Sequence, residues 1–345
     1  MTSMPVSPRP APCAALGLLV AAAAAAAQEP PHLLPKVETS RVVLEARVTD
    51  GRGRPLPGLG PPDFRLEVDG RPVPVDSVVW VHEAERVARV SPTTVPPGVV
   101  AESPGRLVVL LFQKDFEGSR LRGLLRAIDQ AKELLAPLTP RDRVAVLTYD
   151  THLRLHLDFT PDKGAVRRIL DESVLLRWPG PVEPAGVPSL AAHLDREEAR
   201  DAATPEQALL ALGRALLPIP GAKTVLLFGY GLGTLSGGRV VLHHDYDAAR
   251  AALDRARAAV FCLDVTEADW HSLEVGLEQV AFDTGGQYFK VYENASSALA
   301  RVAAALSGHY VLTFERPGGT RGEHRVRLDL AGHHGTVLTR TRYVD

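Results

Sequence analysis

The sequence is poor in cysteine, in aromatic residues and in net charge. Its 345 residues include two cysteines, 6% of them are aromatic, and 39 Lys and Arg stand against 41 Asp and Glu, for a formal net charge of −2. A chain so close to neutrality has no broad electrostatic field that would attract nucleic acid or an anionic membrane. We therefore expect neither as a partner, and the length suggests about two domains.

The scarcity of cysteine excludes a disulfide framework. Cys13 precedes an apolar run near the N-terminus, and Cys262 lies in the apolar stretch 259–265. Loss of an N-terminal leader would leave Cys262 alone, so the processed chain could form no intramolecular disulfide. The apolar neighbours of Cys262 predict a buried, inert thiol rather than a nucleophile.

The apolar run near the N-terminus is too short for a good membrane span. It covers residues 14–27, follows a single basic side chain at Arg9, and ends in small residues. This pattern is typical of a secretory signal peptide. We expect residues 1–27 to be removed, which would place a protein without a membrane span in the periplasm or outside the cell. An uncleaved N-terminal anchor is the alternative.

Alternating apolar and polar residues predict β-strands after the leader. Residues 41–48 and 63–68 alternate as half-buried strands do, positions 69–70 (Asp-Gly) mark a tight turn, and residues 72–81 predict another strand. We assign residues 38–90 to an N-terminal β module.

The rest of the chain divides into three parts. Residues 91–105 are rich in proline and glycine and predict a linker. Residues 106–306 alternate apolar strands with helices, and residues 307–345 return to a β pattern. We expect this last part to form a hairpin region that packs on the N-terminal module, because a lone hairpin is marginally stable.

The middle part predicts an α/β domain. The strands are predicted at 107–112, 143–149, 153–159, 224–228, 259–265 and 287–291, and the helices at 120–135, 163–175, 205–217, 246–257, 271–283 and 296–306. Continuous apolar strands indicate a parallel sheet that helices cover on both faces. We predict a doubly wound sheet with its binding site beyond the carboxyl ends of the strands.

The order of these segments resembles a known family. Residues 48–59, followed by Asp63-Phe64 and the turn at 69–70, are similar to the N-terminal segment of bacterial von Willebrand factor type A (VWFA)-related proteins, an exported family common in acidobacteria. The α/β block resembles the type A domain, and the closing β segments fit the same family. The resemblance implies a six-stranded, mostly parallel sheet with one antiparallel edge. It also implies a non-catalytic binding or adhesion module with a protein or glycan partner.

Type A domains often carry a metal-ion-dependent adhesion site, and the resemblance implies where its ligands would fall. Gln113 stands at the first Asp position of that motif, Asp115 and Glu117 stand at its two Ser positions, Thr204 corresponds to its Thr, and Gly229 replaces its second Asp. Because Mg²⁺ prefers oxygen ligands in octahedral geometry, this degenerate set predicts binding without a metal. The binding residues we predict are Gln113, Asp115, Glu117, Ser119, Thr204, Gly229 and Tyr230.

Alternatives to metal-free binding at this edge of the sheet stay open. A residual Mg²⁺ site could be held by Asp115, Glu117 and Thr204, and either carboxylate could instead cap the helix that follows. A second alternative is a hydrolase that uses Asp115, Glu117 or a histidine pair (243–244 or 333–334). These residues do not provide a coherent nucleophile, base and oxyanion hole, so we predict that the protein is not an enzyme. A purely structural role in the envelope is a further alternative.

Other suggestive motifs are incomplete. The glycines at 229–233 lack dinucleotide-binding spacing, residues 221–224 lack the phosphate-loop pattern, and Ser236 lacks a hydrolase elbow. Asp245, after two histidines, is predicted to N-cap the next helix.

Three tryptophans and one long segment complete the predictions. Trp80, Trp178 and Trp270 are predicted to be packing residues, although Trp178 could also belong to a contact surface. It lies in residues 176–204, which predict a long loop without regular structure. Loops of that length tend to be functional, so we expect this one to shape partner specificity.

Overall fold

The computed structural model describes residues 41–82, 85–90, 105–172, 174, 179–184, 186–292 and 295–345. The predicted signal peptide, nearly all of the predicted linker and Trp178 lie outside these residues, so what we expect of them stays a prediction. Among the helices that the structure describes, none has the length and hydropathy needed to cross a membrane.

Five strands form the N-terminal part, and proline separates two of them. They are β1 (Arg41–Thr49), β2 (Phe64–Val68), β3 (Arg71–Val73), β4 (Ser77–His82) and β5 (Glu85–Val90). β2 and β3 form a hairpin whose turn residues at 69–70 both have positive φ. The single strand predicted at 72–81 is wrong, because β3 and β4 belong to different sheets. Pro74 lies in the break, where it cannot donate a ladder hydrogen bond.

Strands and helices alternate through the middle of the chain. The strands are β6 (Leu107–Gln113), β7 (Arg143–Tyr149), β8 (Leu153–Thr160), β9 (Lys223–Gly229), β10 (Thr234–Ser236), β11 (Arg239–Val241), β12 (Ala258–Asp264) and β13 (Tyr288–Lys290). The helices are α1 (Gly118–Ala131), α2 (Lys163–Glu172), α3 (Arg196–Asp201), α4 (Pro205–Leu216), α5 (Tyr246–Arg255), α6 (Glu274–Thr284) and α7 (Ala295–Ser307).

Six of these strands form the central sheet, in the order β13-β12-β9-β6-β7-β8. Neighbouring strands are parallel except for β7 and β8, which pair antiparallel at one edge. One face packs against α4, α5 and α6, and the other packs against α1, α2 and α7. The central strands are therefore apolar on both faces. This confirms the predicted fold class of a doubly wound, mostly parallel six-stranded sheet.

The C-terminal strands complete two antiparallel sheets, which together we call the β domain. They are β14 (Gly308–Glu315), β15 (Glu323–Leu330), β16 (Thr336–Thr339) and β17 (Arg342–Val344). β14 lies between β1 and β4 in a five-stranded sheet, and β15 pairs with β2 in a four-stranded sheet. Strands from both ends of the chain thus share one core, as the predicted fold class requires.

Tyr310, at the centre of the β domain, holds the Pro-rich loop (residues 55–62). Its hydroxyl donates a hydrogen bond of 2.7 Å to the Leu56 carbonyl and accepts one of 3.0 Å from the Leu59 N–H. The ring of Trp80 packs on it with 4.6 Å between centroids, which confirms Trp80 as a packing residue.

Two predictions about the α/β block have different outcomes. Cys262 is free and buried within β12, as expected, and burial raises the pKa of its thiol. The segment 176–204 was predicted to lack regular structure, and this is wrong because it contains α3. Asp195 caps this helix by accepting hydrogen bonds of 2.9 Å from the N–H groups of Glu197 and Glu198.

Candidate functional site at the carboxyl edge of the sheet

Three neighbouring loops form the carboxyl edge of the central sheet. They are residues 113–119 after β6, 229–241 after β9 and 265–273 after β12, and we call them together the rim. β9 pairs with both β6 and β12, so the three loops lie side by side. A cavity of about 670 Å³ opens among the first two loops, the β7–β8 turn and the start of α4.

Gln113 joins two loops of the rim. Its side chain is 2% exposed, its Nε2 donates a hydrogen bond of 3.0 Å to the Gly231 carbonyl, and its Oε1 accepts one of 3.1 Å from the Tyr230 N–H. A Cβ atom on Gly229 would lie 2.7 Å from that same Oε1. Gln113 and Gly229 therefore fit together as an internal contact, and the side-chain amide uses its hydrogen bonds within the protein.

Asp115 and Glu117 are both paired with Arg120. Asp115 Oδ2 lies 2.5 Å from Arg120 Nη1, and Glu117 Oε2 lies 3.2 Å from Arg120 Nε. The other oxygen of Glu117 accepts a hydrogen bond of 2.8 Å from the Ser119 hydroxyl. Burial opposes ionisation of Asp115, but the Glu117 N–H and the Arg120 guanidinium outweigh it and lower the pKa of this carboxyl. Charge within the loop is thus largely balanced.

The positively charged side chains in and next to this loop also have partners. Arg120 stacks on Tyr230, with its guanidinium carbon 4.4 Å from the ring centroid. Lys114 Nζ lies 3.0 Å from Asp150 Oδ2, and Arg154 pairs with the other oxygen of Asp150. The charged side chains of the loop 113–119 are therefore all paired.

Neither carboxylate caps α1. Glu117 occupies the N-cap position, yet its side chain makes no capping hydrogen bond. Asp115 Oδ1 accepts a hydrogen bond of 2.9 Å from the N–H of Glu117, which stabilises the turn before the helix. Neither carboxylate therefore accepts a capping hydrogen bond from the helix backbone, and both are paired with Arg120, which itself lies in the first turn of α1.

Thr204 is used by its own helix. It is the N-cap of α4, and its hydroxyl accepts a hydrogen bond of 3.2 Å from the Gln207 N–H. The Gln207 side chain bonds back to the Thr204 N–H at 3.3 Å, which completes a capping box. The hydroxyl predicted as a metal ligand is therefore directed at the helix backbone.

These residues do not fit a Mg²⁺ site. Gly229 offers no side chain, Asp115 and Glu117 share a guanidinium, and the Gln113 amide oxygen is bound to backbone. A hard cation needs about six oxygen ligands and would have to displace Arg120 from both carboxylates. We derive no chemistry through a metal at this loop.

Large apolar side chains are exposed on the same rim. Phe116 is 64% exposed and Trp270 is 67% exposed, and Leu235 and Val241 are exposed on the β10–β11 hairpin. The prediction that Trp270 is a packing residue is therefore wrong. This hairpin escaped the sequence analysis, although its turn residues Gly237 and Gly238 both have positive φ and are a recognised hairpin pattern.

The histidine pairs 243–244 and 333–334 lie outside the three loops of the rim. Asp245 occupies the N-cap position of α5, as predicted, but its side chain makes no capping hydrogen bond. Its carboxylate instead accepts a bond of 3.0 Å from Gln207 Nε2 and lies 3.2 Å from His243 Nδ1. His333 bonds to Asp63 within the β domain at 3.1 Å. Ser236 is exposed on the β10–β11 hairpin.

Comparisons with known proteins add structural neighbours. The structure is similar to solved von Willebrand factor type A domains. One is a type A protein from Catenulispora acidiphila, with 14% identity, a TM-score of 0.43, and coverage of 84% of this chain and 75% of that chain. Another similar structure is the conserved hypothetical protein BatB from Bacteroides thetaiotaomicron, with 17% identity, a TM-score of 0.38, and coverage of 59% and 98%.

A third similar structure is proximal thread matrix protein 1 from the mussel byssus, solved with a zinc-occupied MIDAS motif. It has 10% identity and a TM-score of 0.41, and the match covers 62% of this chain and 49% of that chain. No protein-family model matches the sequence, and no curated protein matches it either. These matches concern structure alone, and the function of this chain depends on its own side chains.

Proposed function

We propose that this protein is a non-catalytic binding module that holds a protein partner on the rim without a metal ion at the loop 113–119. The observation that carries the proposal is the contrast within the rim. The charged side chains of the loop 113–119 are paired with neighbouring side chains, while Phe116, Trp270 and apolar side chains of the β10–β11 hairpin are exposed. Exposed apolar groups that charged residues surround are typical of protein interfaces.

The apolar side chains are of the kind that dominates binding energy. Burial of a large apolar side chain contributes about 1.5–3 kcal/mol, and aromatic residues are enriched among the residues that cost most when truncated. Phe116 and Trp270 lie on loops that flank the loop after β9, so one partner surface can contact both. Because the charged side chains of the loop 113–119 are already paired, we favour a partner that docks by shape complementarity over one that supplies a carboxylate to a bound cation.

A site-specific photocrosslinking experiment tests the location. A benzoylphenylalanine placed at Phe116 should crosslink a discrete partner in extracts of the native cell envelope. The matched control is Phe282, which is 68% exposed near the end of α6, toward the opposite edge of the sheet. Crosslinking at 116 but not at 282 supports the proposal, whereas equal crosslinking at both positions contradicts it.

The role of metal is tested on the identified partner. Asp115→Asn keeps the shape of the side chain but removes its charge, so a metal-dependent interface should lose most of its affinity. We expect the dissociation constant to change by less than about threefold, and Phe116→Ser to weaken binding by at least about tenfold. An Asp115→Asn variant that no longer binds would contradict metal-independent docking.

We also propose that the protein acts in the periplasm or outside the cell. The support is the apolar run at residues 14–27 and the small residues that end it. Mass spectrometry of the protein from its native host should find an N-terminus close to residue 28. A full-length N-terminus on the mature protein would contradict this.

A further inference from the structure

A second cluster of metal-binding side chains lies at the carboxyl end of β12, away from the loop 113–119. Asp264 ends that strand, His271 lies in the following loop, and Glu274 begins α6. One ligand atom from each lies within 4.8 Å of the others. His271 Nε2 is 2.7 Å from Asp264 Oδ2, so the imidazole and the carboxylate already face each other.

Two buried carboxylates so close together need a cation. Asp264 is 1% exposed and Glu274 is 7% exposed. Lys290 supplies one positive charge, with Nζ 2.8 Å from Glu274 Oε2. Its side chain is 30% exposed and its ammonium also bonds to the Asp269 carbonyl, so it can leave Glu274 by moving toward solvent.

An unused hydroxyl lies in the same loop. The Thr266 N–H donates a hydrogen bond of 2.9 Å to Asp264 Oδ1, while its buried side-chain oxygen has no hydrogen-bond partner among the described residues. Tyr288 also contributes a hydroxyl, which donates to Asp264 Oδ2 at 2.7 Å. Buried polar groups without partners are uncommon and often mark a place that an ion or water occupies.

We propose that Asp264, His271 and Glu274 form a Zn²⁺ site. One imidazole and two carboxylates are ligands that Zn²⁺ accepts, whereas Mg²⁺ selects all-oxygen sites. The ion takes the place of the proton between His271 Nε2 and Asp264 Oδ2, and the neutral imidazole that binds it carries its proton on Nδ1. With Zn²⁺ at about 2.0–2.2 Å from each ligand, His271 Nε2 and Asp264 Oδ2 would lie roughly 3.3 Å apart. This is a small movement for a loop residue such as His271.

Lys290 distinguishes this proposal from a purely structural hydrogen-bond cluster. If the cluster binds Zn²⁺, the ammonium group competes with the ion for Glu274. Lys290→Met then removes the competitor and should tighten Zn²⁺ binding by roughly threefold to tenfold, as expected for a partly exposed ion pair. A cluster that only stabilises the fold would gain no affinity from this substitution.

Isothermal titration of the full chain with Zn²⁺, and separately with Mg²⁺, tests the site. We expect one Zn²⁺ per chain with a dissociation constant of about 1 µM or below, and no saturable Mg²⁺ binding. His271→Asn should weaken Zn²⁺ binding by more than about 100-fold. The matched control is His243→Asn in the more exposed His243–Asp245 cluster, which should leave the affinity unchanged. Circular dichroism melts establish that each variant is folded.

Several outcomes would overturn the proposal. They are absence of saturable Zn²⁺ binding by the folded wild-type chain, an unchanged affinity in folded His271→Asn, and weaker binding by Lys290→Met. X-ray absorption of the Zn²⁺-loaded protein gives an independent readout, because the proposed shell contains nitrogen and oxygen only. A sulfur neighbour would assign the ion to Cys262 and contradict the site. None of these results depends on whether the rim binds a partner.

Discussion

Replacement of Gln113 by leucine tests the contact that joins the loops after β6 and β9. The variant keeps an apolar side chain of similar size but removes both hydrogen bonds. The Gly231 carbonyl is buried and would lose its donor, at a cost of about 1–3 kcal/mol. The Tyr230 N–H is partly exposed and can bond to water, so its loss costs about 1 kcal/mol. We expect Gln113→Leu to lower the free energy of unfolding by about 2–4 kcal/mol.

Urea denaturation measures this change, and two further variants sharpen it. Gln279→Leu makes the same replacement on the exposed face of α6, where one hydrogen bond to Asp283 is lost, and should cost less than about 0.5 kcal/mol. Gln113→Glu can donate to Gly231 only when protonated, so burial should raise the pKa of the new carboxyl. Its stability should therefore approach that of wild type below about pH 4 and fall as the pH rises.

Two results would contradict the role of Gln113 in joining the two loops. A loss below about 1 kcal/mol for Gln113→Leu, with an unchanged denaturant slope, would mean that the amide does not join the two loops. A Gln113→Glu variant whose stability relative to wild type does not depend on pH would contradict the donor role of the Gln113 amide.

Three further predictions concern the scaffold. Burial and two neighbouring cations lower the pKa of His156 from 6.5 to about 4. Its stabilising effect is therefore present above pH 6.5 and lost as the pH falls toward 4. Urea denaturation between these pH values should show a free energy of unfolding that falls with pH, and His156→Gln should remove this dependence. Gly123→Ala should cost about 3 kcal/mol or more in thermal unfolding, because its Cβ would lie 1.6 Å from the Val265 carbonyl oxygen. Gly118→Ala should change stability by less than about 1 kcal/mol, because its Cβ would make only an ordinary contact of 3.9 Å with Arg122 Nη1. Tyr310→Phe should cost about 1–2 kcal/mol and speed amide exchange in the Pro-rich loop that its hydroxyl holds.

Much of the α/β block could be predicted because its strands are apolar on both faces. Residues 143–149 were predicted with the bounds that β7 has, since a charged residue precedes the run and a turn follows it. Short or exposed elements could not be predicted from the sequence, for a physical reason. The helix α3 has six residues and depends on the Asp195 cap more than on an apolar face, and β10 and β11 are exposed, so neither shows the periodicity of a buried element.

The candidate site was located by segment order, but its contacts could not be predicted. Asp115 pairs with Arg120, which lies within reach only because the chain turns into α1 between them. Lys114 meets Asp150 across two neighbouring strands, a contact that the sheet register creates. The Asp264–His271 pair likewise depends on the path of the loop after β12. Side-chain pairing across a fold is set by packing, which local sequence patterns do not encode.

Packing also explains why the loop 113–119 does not regain a metal ligand through a single substitution. An aspartate at Gly229 would place its Cβ 2.7 Å from Gln113 Oε1 and direct a carboxylate toward a carbonyl oxygen. The charge would be buried without a cation, because Arg120 is held by Asp115 and Glu117 and stacks on Tyr230. Burial of an unpaired carboxylate costs several kcal/mol. Gln113 and Gly229 therefore have to change together for this loop to gain a metal ligand at position 229.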